Sequence, residues 1–417
     1  MTRFTAFLDR RVLPALTALS EQTDMAAIRA GMVSVVPLTI IGGVFMVVSY
    51  LPFPGWEAVV APWLPLLEIP VTATFGLLGL VVGIAIAHDL GRRLGQEPLV
   101  SATMAAVVFM LIQIEPADGS FRTAGLGSQG LFTAIIVALV VVHTQKLFTD
   151  RGIVIAMPDT VPSVVYQSFL SIVPLLVLVV GFWLLRFVGG VDINAAVQAA
   201  FSPLVFALNT LPGILVYAFL VSLLWSVGIH GDNALDAIVA PIFLQYLADN
   251  VAAVQAGQPL PYITANGFFT TFVNVGGTGA TLALAILLWR SKDPAMRKVG
   301  RVSLPTQVFQ INEPIFFGLP IVLNPVFMMP YVLNALLLTA GSYLLMSWDL
   351  IARPFVNVPW TTPPVIGHYL VTGGDWRAAV WGVVSLALAM VVYYPFAKAA
   401  ERARAARTAS DRGDARV

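Results

Sequence analysis

The stretch QINEPIFFGLP, residues 310–320, sets an acid and two prolines inside an otherwise apolar run. Proline cannot continue a hydrogen-bonded helix, and it disfavours the helical conformation at the residue before it. Irregular backbone at membrane depth is tolerated only where protein or a water-filled cavity surrounds it. We therefore expect Glu313 at a turn inside a re-entrant hairpin, where a carboxylate is a functional candidate. The alternative is a buried pair with a His or Arg that only holds the hairpin.

The composition around this stretch is that of a membrane protein. Of 417 residues, 58% are hydrophobic and 11% are charged, and the mean hydropathy is +0.85. So few charged side chains cannot cover a water-soluble fold, which excludes an ordinary soluble enzyme, a disordered protein and a nucleic-acid binder. The absence of cysteine excludes disulfides, thiolate catalysis and Cys-ligated zinc on this chain. No metal site and no cofactor are expected.

Apolar runs long enough to cross a membrane predict an all-α polytopic protein. A shorter run, residues 235–248, contains Pro241 and is either a marginal tenth crossing or part of a re-entrant element. If it crosses, both termini are cytoplasmic and only four of the 23 Lys and Arg residues lie outside, as the positive-inside rule favours. The nine clear runs are 30–51, 71–88, 98–114, 130–148, 165–188, 203–229, 267–289, 319–347 and 376–397.

The apolar runs are plain in the first half of the chain and repeatedly broken in the second. In transporters, broken segments of this kind build the substrate site. We therefore expect an N-terminal scaffold domain over residues 1–190, a C-terminal transport domain over 200–397 and a basic cytoplasmic tail over 398–417. The stretch VGGVDIN, 188–194, links the two domains, and the amphipathic stretch 1–24 is expected to be a cytoplasmic or interfacial helix.

Three more clusters of polar residues interrupt the second half of the chain. In WSVGIHGDN, His230 lies between glycines that let the backbone approach a ligand, although a capped helix end with a hydrogen-bonded His explains it equally well. NVGGTGAT, 274–281, suits close helix packing, except that the Asn274 amide can both donate to and accept from a hydroxyl. VPWTTPP, 358–364, offers an indole platform for a sugar ring, with an interfacial Trp as the equal alternative.

These motifs resemble the membrane-embedded IIC component of the bacterial phosphoenolpyruvate-dependent sugar phosphotransferase system, in the lactose/cellobiose/diacetylchitobiose family. The resemblance covers nearly the whole chain. It implies ten membrane helices plus re-entrant hairpins and a homodimer joined through the N-terminal helices, with one sugar in each C-terminal half. The motifs that carry it are GIHG (228–231), INEPIFFGLPIVLNP (311–325), VPWTTPP (358–364) and MPDTVPSVVYQSF (157–169).

The resemblance also implies a substrate, a partner and a site. Glu313 and His230 would form the catalytic pair at the 6-hydroxyl of a β-linked disaccharide. A separate IIB protein would bring the phosphoryl group on a cysteine, which agrees with the absence of cysteine here. The chain would then be the translocating subunit of a phosphotransferase complex in the bacterial inner membrane, not an enzyme alone. The implied sugar contacts are Asn274, Trp360, Asn312, Gly231 and Thr361.

The residues fit this chemistry on general grounds, because a carboxylate within reach of a sugar hydroxyl can accept its proton as the phosphoryl group transfers. The charged product cannot return, and alternating access would move the transport domain against the scaffold. The alternative is a proton-coupled secondary sugar symporter, with Glu313 and His230 as the proton relay. An intramembrane metalloprotease is disfavoured because the sequence lacks a His-Glu-x-x-His arrangement.

Overall fold

The computed structural model describes residues 22–50, 55–155, 166, 169–319, 321 and 324–414. Apart from turns and loops, these residues are helical, with one isolated antiparallel bridge between Ile114 and Phe121. The N-terminal helices are α1 (Thr23–Ser34), α2 (Val36–Ser49), α3 (Trp56–Val60), α4 (Leu64–Phe75), α5 (Leu78–Arg93), α6 (Pro98–Ile112), α7 (Leu131–Asp150) and α8 (Ile172–Trp183). The later helices are α9 (Ile193–Leu208), α10 (Leu211–Ser226), α11 (Gly231–Gln255), α12 (Thr281–Trp289), α13 (Pro294–Val308), α14 (Glu313–Gly318), α15 (Pro325–Ser347), α16 (Ile366–Val371) and α17 (Trp376–Asp414).

Seven helical segments of the described chain are long and apolar enough to cross a membrane, which confirms a polytopic helical membrane protein. An eighth span forms if α8, with its π-helical end, and α9 count as one broken crossing, bent by 88°. Helices α6 and α10 are shorter and apolar. The count of about ten crossings stays a prediction.

Two of the expected crossings have different boundaries in the structure. The short run 235–248 lies inside α11, a 25-residue helix that is itself a candidate span and takes Pro241 into its interior. The run 203–229 is divided, because α9 ends at Leu208 and Thr210 caps α10, its hydroxyl accepting from the Gly213 N–H. Side-chain capping can begin a new helix inside a continuous apolar run, so hydropathy alone does not show such a break.

The N-terminal helices pack around α5, which contacts α1, α6 and α7. Its buried face carries Leu78, Val82 and Ile86. A Cβ atom on Gly31 of α1 would lie 2.3 Å from Ile86 Cγ1, so the two helices approach through a glycine. Close approach through small residues is the usual way in which helices associate inside a membrane.

The broken segment between α11 and α12 is held inside protein, as irregular backbone in a membrane requires. It runs through a π-helical turn, Phe268–Val273, a glycine-rich turn and a 3₁₀ turn, Thr278–Ala280. The Tyr393 hydroxyl donates to the Gly279 carbonyl at 2.7 Å. A Cβ atom on Gly279 would lie 2.2 Å from the Tyr331 ring, so only glycine fits this turn.

The two halves of the chain meet beside α2. The Asn357 amide donates to the Thr39 hydroxyl at 2.6 Å, and a Cβ atom on Gly43 would lie 2.8 Å from the Asn357 carbonyl oxygen. A second contact joins Ser128 to Asp249 at 2.8 Å. The division into domains at 190–200 and the homodimer stay predictions. Most of the motif at 157–169 and of the stretch 1–24 lies outside the described residues.

An ion network joins the loop after α6 to the start of α9. The Arg122 guanidinium donates to Glu115 at 2.5 Å and to Asp192 at 2.9 Å, and Asp192 also caps α9. The hydrogen bond from Arg122 holds the pKa of Glu115 below its usual value. Arg186, which is 6% exposed, lies 3.7 Å from Glu115 and extends the network into the bent span.

Candidate functional site

A cavity of about 490 Å³ lies where the broken segments of the second half converge. Its walls come from α10, the start of α11, the segment 264–278, the turn before α14 and the loop 357–360, with Val36 of α2 added from the first half. This volume lies within the range of small-molecule sites, which run from about 300 to 1,000 Å³.

Glu313 is the first residue of α14, and its side chain lines the cavity. Pro314 occupies the first helical turn, where its missing N–H would have no partner within the helix. Glu313 is therefore helical, whereas we expected it at a turn. Among the described residues its exposed carboxylate has no hydrogen-bond or ion-pair partner, so the alternative of a purely structural ion pair is not what the structure contains.

His230 both caps a helix and lines the cavity, which combines the two interpretations of the sequence. It is the N-cap of α11, and its Nδ1 accepts a hydrogen bond from the Asn233 backbone N–H at 3.2 Å. An accepting Nδ1 carries no proton, so the neutral ring has its N–H at Nε2. The ring centroid lies 4.2 Å from that of Trp225, which fixes the plane of the imidazole.

Asn274 and Trp360 also line the cavity. Asn274 opens the glycine-rich turn and is half-buried, and within the described chain its side-chain amide has no hydrogen-bond partner. The Trp360 side chain is 57% exposed, which leaves an indole face free beside the cavity. Both residues are therefore placed to contact a ligand.

The other three predicted contact residues have different surroundings. Asn312 lines the cavity but is 5% exposed, and its amide N–H₂ donates to the carbonyl and hydroxyl of Thr278. Gly231 and Thr361 do not line the cavity. A Cβ atom on Gly231 would lie 2.3 Å from the Val221 carbonyl oxygen, so this glycine serves the close approach of α10 and α11.

Among the polar residues of the cavity wall that sequence reasoning missed are Asp232, Asp236 and Gln310. Asp232 accepts a hydrogen bond from Trp225 Nε1 at 2.8 Å, and Asp236 lies one turn further along α11, in electrostatic contact with Arg29. Two acids at i and i+4 in an apolar helix were the available signal, since such residues share one helix face. Gln310 gave no comparable signal.

The cavity groups suit a neutral ligand with many hydroxyls. Carboxylates and amide oxygens accept from hydroxyls, the amide and imidazole N–H groups donate to them, and an exposed indole can cover an apolar ring face. Within the described part of the chain, no group of three or more His, Cys, Asp or Glu side chains is placed to hold a metal ion.

Fold and site together define a helical membrane protein with a cavity that presents several hydrogen-bonding side chains. The family model for the phosphotransferase system EIIC component matches residues 29–335, and the chain belongs to this family. The family, and the relation to the lactose, cellobiose and diacetylchitobiose branch, are thereby confirmed.

The relatives agree over nearly the full length of the chain. A cellobiose-specific EIIC component from Geobacillus stearothermophilus is 33% identical over 99% of this chain and 97% of its own. A lactose-specific EIICB component from Streptococcus mutans is 30% identical over 92% of this chain and 70% of its own. The crystal structure of ChbC, the IIC component of an N,N'-diacetylchitobiose-specific phosphotransferase system, superposes with a TM-score of 0.91 at 34% identity, covering 96% of this chain and 99% of that chain.

Proposed function

We propose that this protein takes up a β-linked disaccharide of the cellobiose, lactose and diacetylchitobiose class and passes it to a cytoplasmic IIB protein for phosphorylation. The observation that carries the proposal is the Glu313 carboxylate, which has no partner among the described residues and lies in the wall of a cavity rich in hydrogen-bonding groups. A carboxylate left unpaired inside a membrane protein is costly unless a ligand or a reaction uses it.

In the proposed reaction Glu313 is the general base. It accepts the proton of the sugar 6-hydroxyl while the hydroxyl oxygen attacks the phosphorus of the phosphocysteine on IIB. The new O–P bond forms as the S–P bond breaks, and the cysteine leaves as a thiolate. His230 donates from Nε2 to the same hydroxyl, because its Nδ1 is engaged by the Asn233 N–H.

The rest of the disaccharide is held by other groups of the cavity wall. Asn274 bonds to a hydroxyl or an N-acetyl group, and Trp360 stacks on the C–H face of a ring. Asp236 accepts from a further hydroxyl. Asn312 contributes through its carbonyl oxygen, since its N–H₂ group is occupied by Thr278.

Transport by this scheme is alternating access in the bacterial inner membrane with both termini in the cytoplasm. The positive-inside pattern of Lys and Arg supports that orientation. The N-terminal scaffold, residues 1–190, carries the homodimer contact, and residues 200–397 move against it. Phosphorylation charges the sugar and prevents its return.

The test is uptake into vesicles that contain the purified full chain, with and without a phosphorylated IIB protein of this family. Labelled cellobiose, lactose and diacetylchitobiose are supplied outside, and the product inside is identified by mass spectrometry. We expect sugar 6-phosphate for at least one disaccharide, and only with phosphorylated IIB present. Accumulation of unmodified sugar that needs only a proton gradient would establish the symporter instead.

A further inference from the structure

Gln310 occupies a backbone conformation that normally belongs to glycine. It follows the end of α13 with φ +68°, at the position where the Ile311 N–H bonds to the Thr306 carbonyl and the Gln310 N–H bonds to the Gln307 carbonyl. This pair of bonds is the Schellman ending of a helix, and its left-handed residue is usually Gly because a Cβ atom is strained there. A glutamine at this position implies that its side chain is needed.

The side chain of Gln310 is 8% exposed and uses its full hydrogen-bonding capacity. Its Oε1 accepts from the N–H groups of Gly276 and Gly277 at 3.0 and 3.1 Å. Its Nε2 donates to the carbonyls of Thr270 and Thr362 at 3.0 and 3.4 Å. An amide can make two bonds of each kind, so this one is saturated.

These four bonds join the segments that carry the cavity residues. Thr270 lies four residues before Asn274, the two glycines begin two residues after Asn274, and Thr362 lies two residues after Trp360. Gln310 itself precedes Glu313 by three residues. One buried amide therefore ties the general base to both segments that are proposed to hold the sugar.

We infer that Gln310 is a positioning residue, which sets the Glu313 carboxylate against the sugar without reacting itself. The inference rests on the proposed function and assigns a residue that this function does not use. A displacement of about 1 Å between a catalytic group and its substrate can cost about 100-fold in rate. Because Gln310 Oε1 occupies both glycine N–H groups, the glycine turn does not offer them to the phosphoryl group.

The test compares two neighbouring buried glutamines. Gln310→Met removes four hydrogen bonds, whereas Gln307→Met removes a side chain that is 0% exposed and whose amide has no hydrogen-bond partner among the described residues. Gln310→Gly removes the same four bonds but suits the left-handed backbone, so it separates folding from function. Each full-length variant is assayed for the kcat of sugar phosphorylation with IIB, for sugar Kd and for Tm.

We expect kcat to fall at least tenfold for Gln310→Met and Gln310→Gly, with a sugar Kd within about threefold, and to stay within twofold for Gln307→Met. In a Glu313→Gln background, Gln310→Gly should cause no further loss, because residues that act as one unit are not additive. An unchanged kcat in Gln310→Gly, or an equal loss in both backgrounds, would overturn the inference. If the wild-type chain makes no sugar phosphate at all, the proposed function fails instead.

Discussion

At the scale of single residues, the site depends on side chains that have no partner in the part of the chain that the structure describes. Glu313, Asn274 and Trp360 face the cavity with free hydrogen-bonding groups or a free ring face. Several hydrogen-bonding groups that converge on one cavity mark a candidate ligand site. Among them, Glu313 has the chemistry to take a proton.

Glu313→Gln should separate binding from chemistry. The amide keeps the size and a hydrogen bond to the sugar but cannot accept a proton, so we expect the rate of sugar phosphorylation to fall by roughly 10²- to 10⁴-fold. Sugar Kd, measured by calorimetry, should change by less than about tenfold. Glu57→Gln, an exposed acid outside the cavity, is the control and should keep full activity. A Glu313→Gln variant as active as the wild type rules out the general-base role.

Trp360→Ala should weaken binding. The loss of stacking on an apolar sugar face removes about 1–2 kcal/mol of binding free energy, or about 5- to 30-fold in Kd. Trp376→Ala removes an indole that is 68% exposed and does not line the cavity, and its Kd should match that of the wild type. Equal effects of the two variants would assign Trp360 to the membrane interface.

Some of these residues could be predicted from sequence and others could not. Glu313 and His230 stood out because ionisable groups are expensive in apolar runs. Gly231 was predicted as a sugar contact from its neighbourhood, but its role is decided by the Val221 carbonyl, which only the packing of α10 and α11 brings near. Asp236 lies one turn beyond Asp232 on a helix whose start was not predicted.

At the scale of elements, the site depends on turns that only glycine can form. Gly277 has φ +101°, and a Cβ atom there would lie 2.6 Å from Asn312 Cβ. Gly257 has φ +62°, and a Cβ atom on it would have no other atom within 4 Å. Replacing Gly257 by alanine would therefore strain the backbone without causing a clash. Alanine substitutions at Gly277 and Gly257 can therefore be compared as test and control.

Gly277→Ala should lower Tm and abolish sugar binding, because the glycine turn cannot stay against the residues before α14. Gly257→Ala should lower the free energy of unfolding, and with it Tm, by the backbone strain alone, about 1 kcal/mol, and leave sugar Kd unchanged. Thermal unfolding in detergent with and without sugar measures both effects. Retained binding in Gly277→Ala would show that the turn does not shape the site.

Arg122→Gln tests the ion network between α6 and α9. Arg122 lowers the pKa of Glu115, so the stabilisation is present above the ordinary carboxylate pKa of about 4.3 and is lost as pH falls through the lowered value. Wild type should therefore exceed the variant in Tm at pH 7, and the difference should shrink steadily as pH falls below about 4. A difference in Tm that is independent of pH would contradict this assignment.

At the scale of the whole molecule, the two halves of the chain meet at the edge of the cavity. Asn357 lines the cavity, bonds to Asn266 at 3.2 Å and donates to Thr39 of α2 at 2.6 Å. Alternating access requires such contacts between the moving parts to break. The Thr39–Asn357 bond should therefore stabilise the conformation described by the structure.

Thr39→Val leaves a buried Asn357 donor without its partner, which costs about 1–3 kcal/mol and disfavours this conformation. The absence of cysteine allows one reporter, Asn233→Cys, in the cavity wall. We expect its labelling rate by a membrane-impermeant thiol reagent to change at least fivefold in Thr39→Val. Thr103→Val, on an exposed face of α6, should leave the rate within twofold, and an unchanged rate in Thr39→Val would exclude a role in the conformational equilibrium.

The helical membrane fold could be predicted from composition and hydropathy. Inside a bilayer the backbone N–H and C=O groups of an apolar segment must bond to each other, and a helix satisfies them within one segment. The meeting of Thr39 with Asn357 could not be predicted, since contacts so distant in sequence leave no periodic signal. The role of Gln310 could be predicted only in part. Its left-handed backbone cannot be read from the sequence, although a polar residue just after a helix is a candidate for such a conformation.

The most direct test of the account is a structure of the full chain with a bound disaccharide. We predict the sugar in this cavity, with its 6-hydroxyl within about 3.2 Å of the Glu313 carboxylate and of His230 Nε2, and with a ring face on Trp360. A sugar bound elsewhere, or one that turns its 6-hydroxyl away from Glu313, would contradict it.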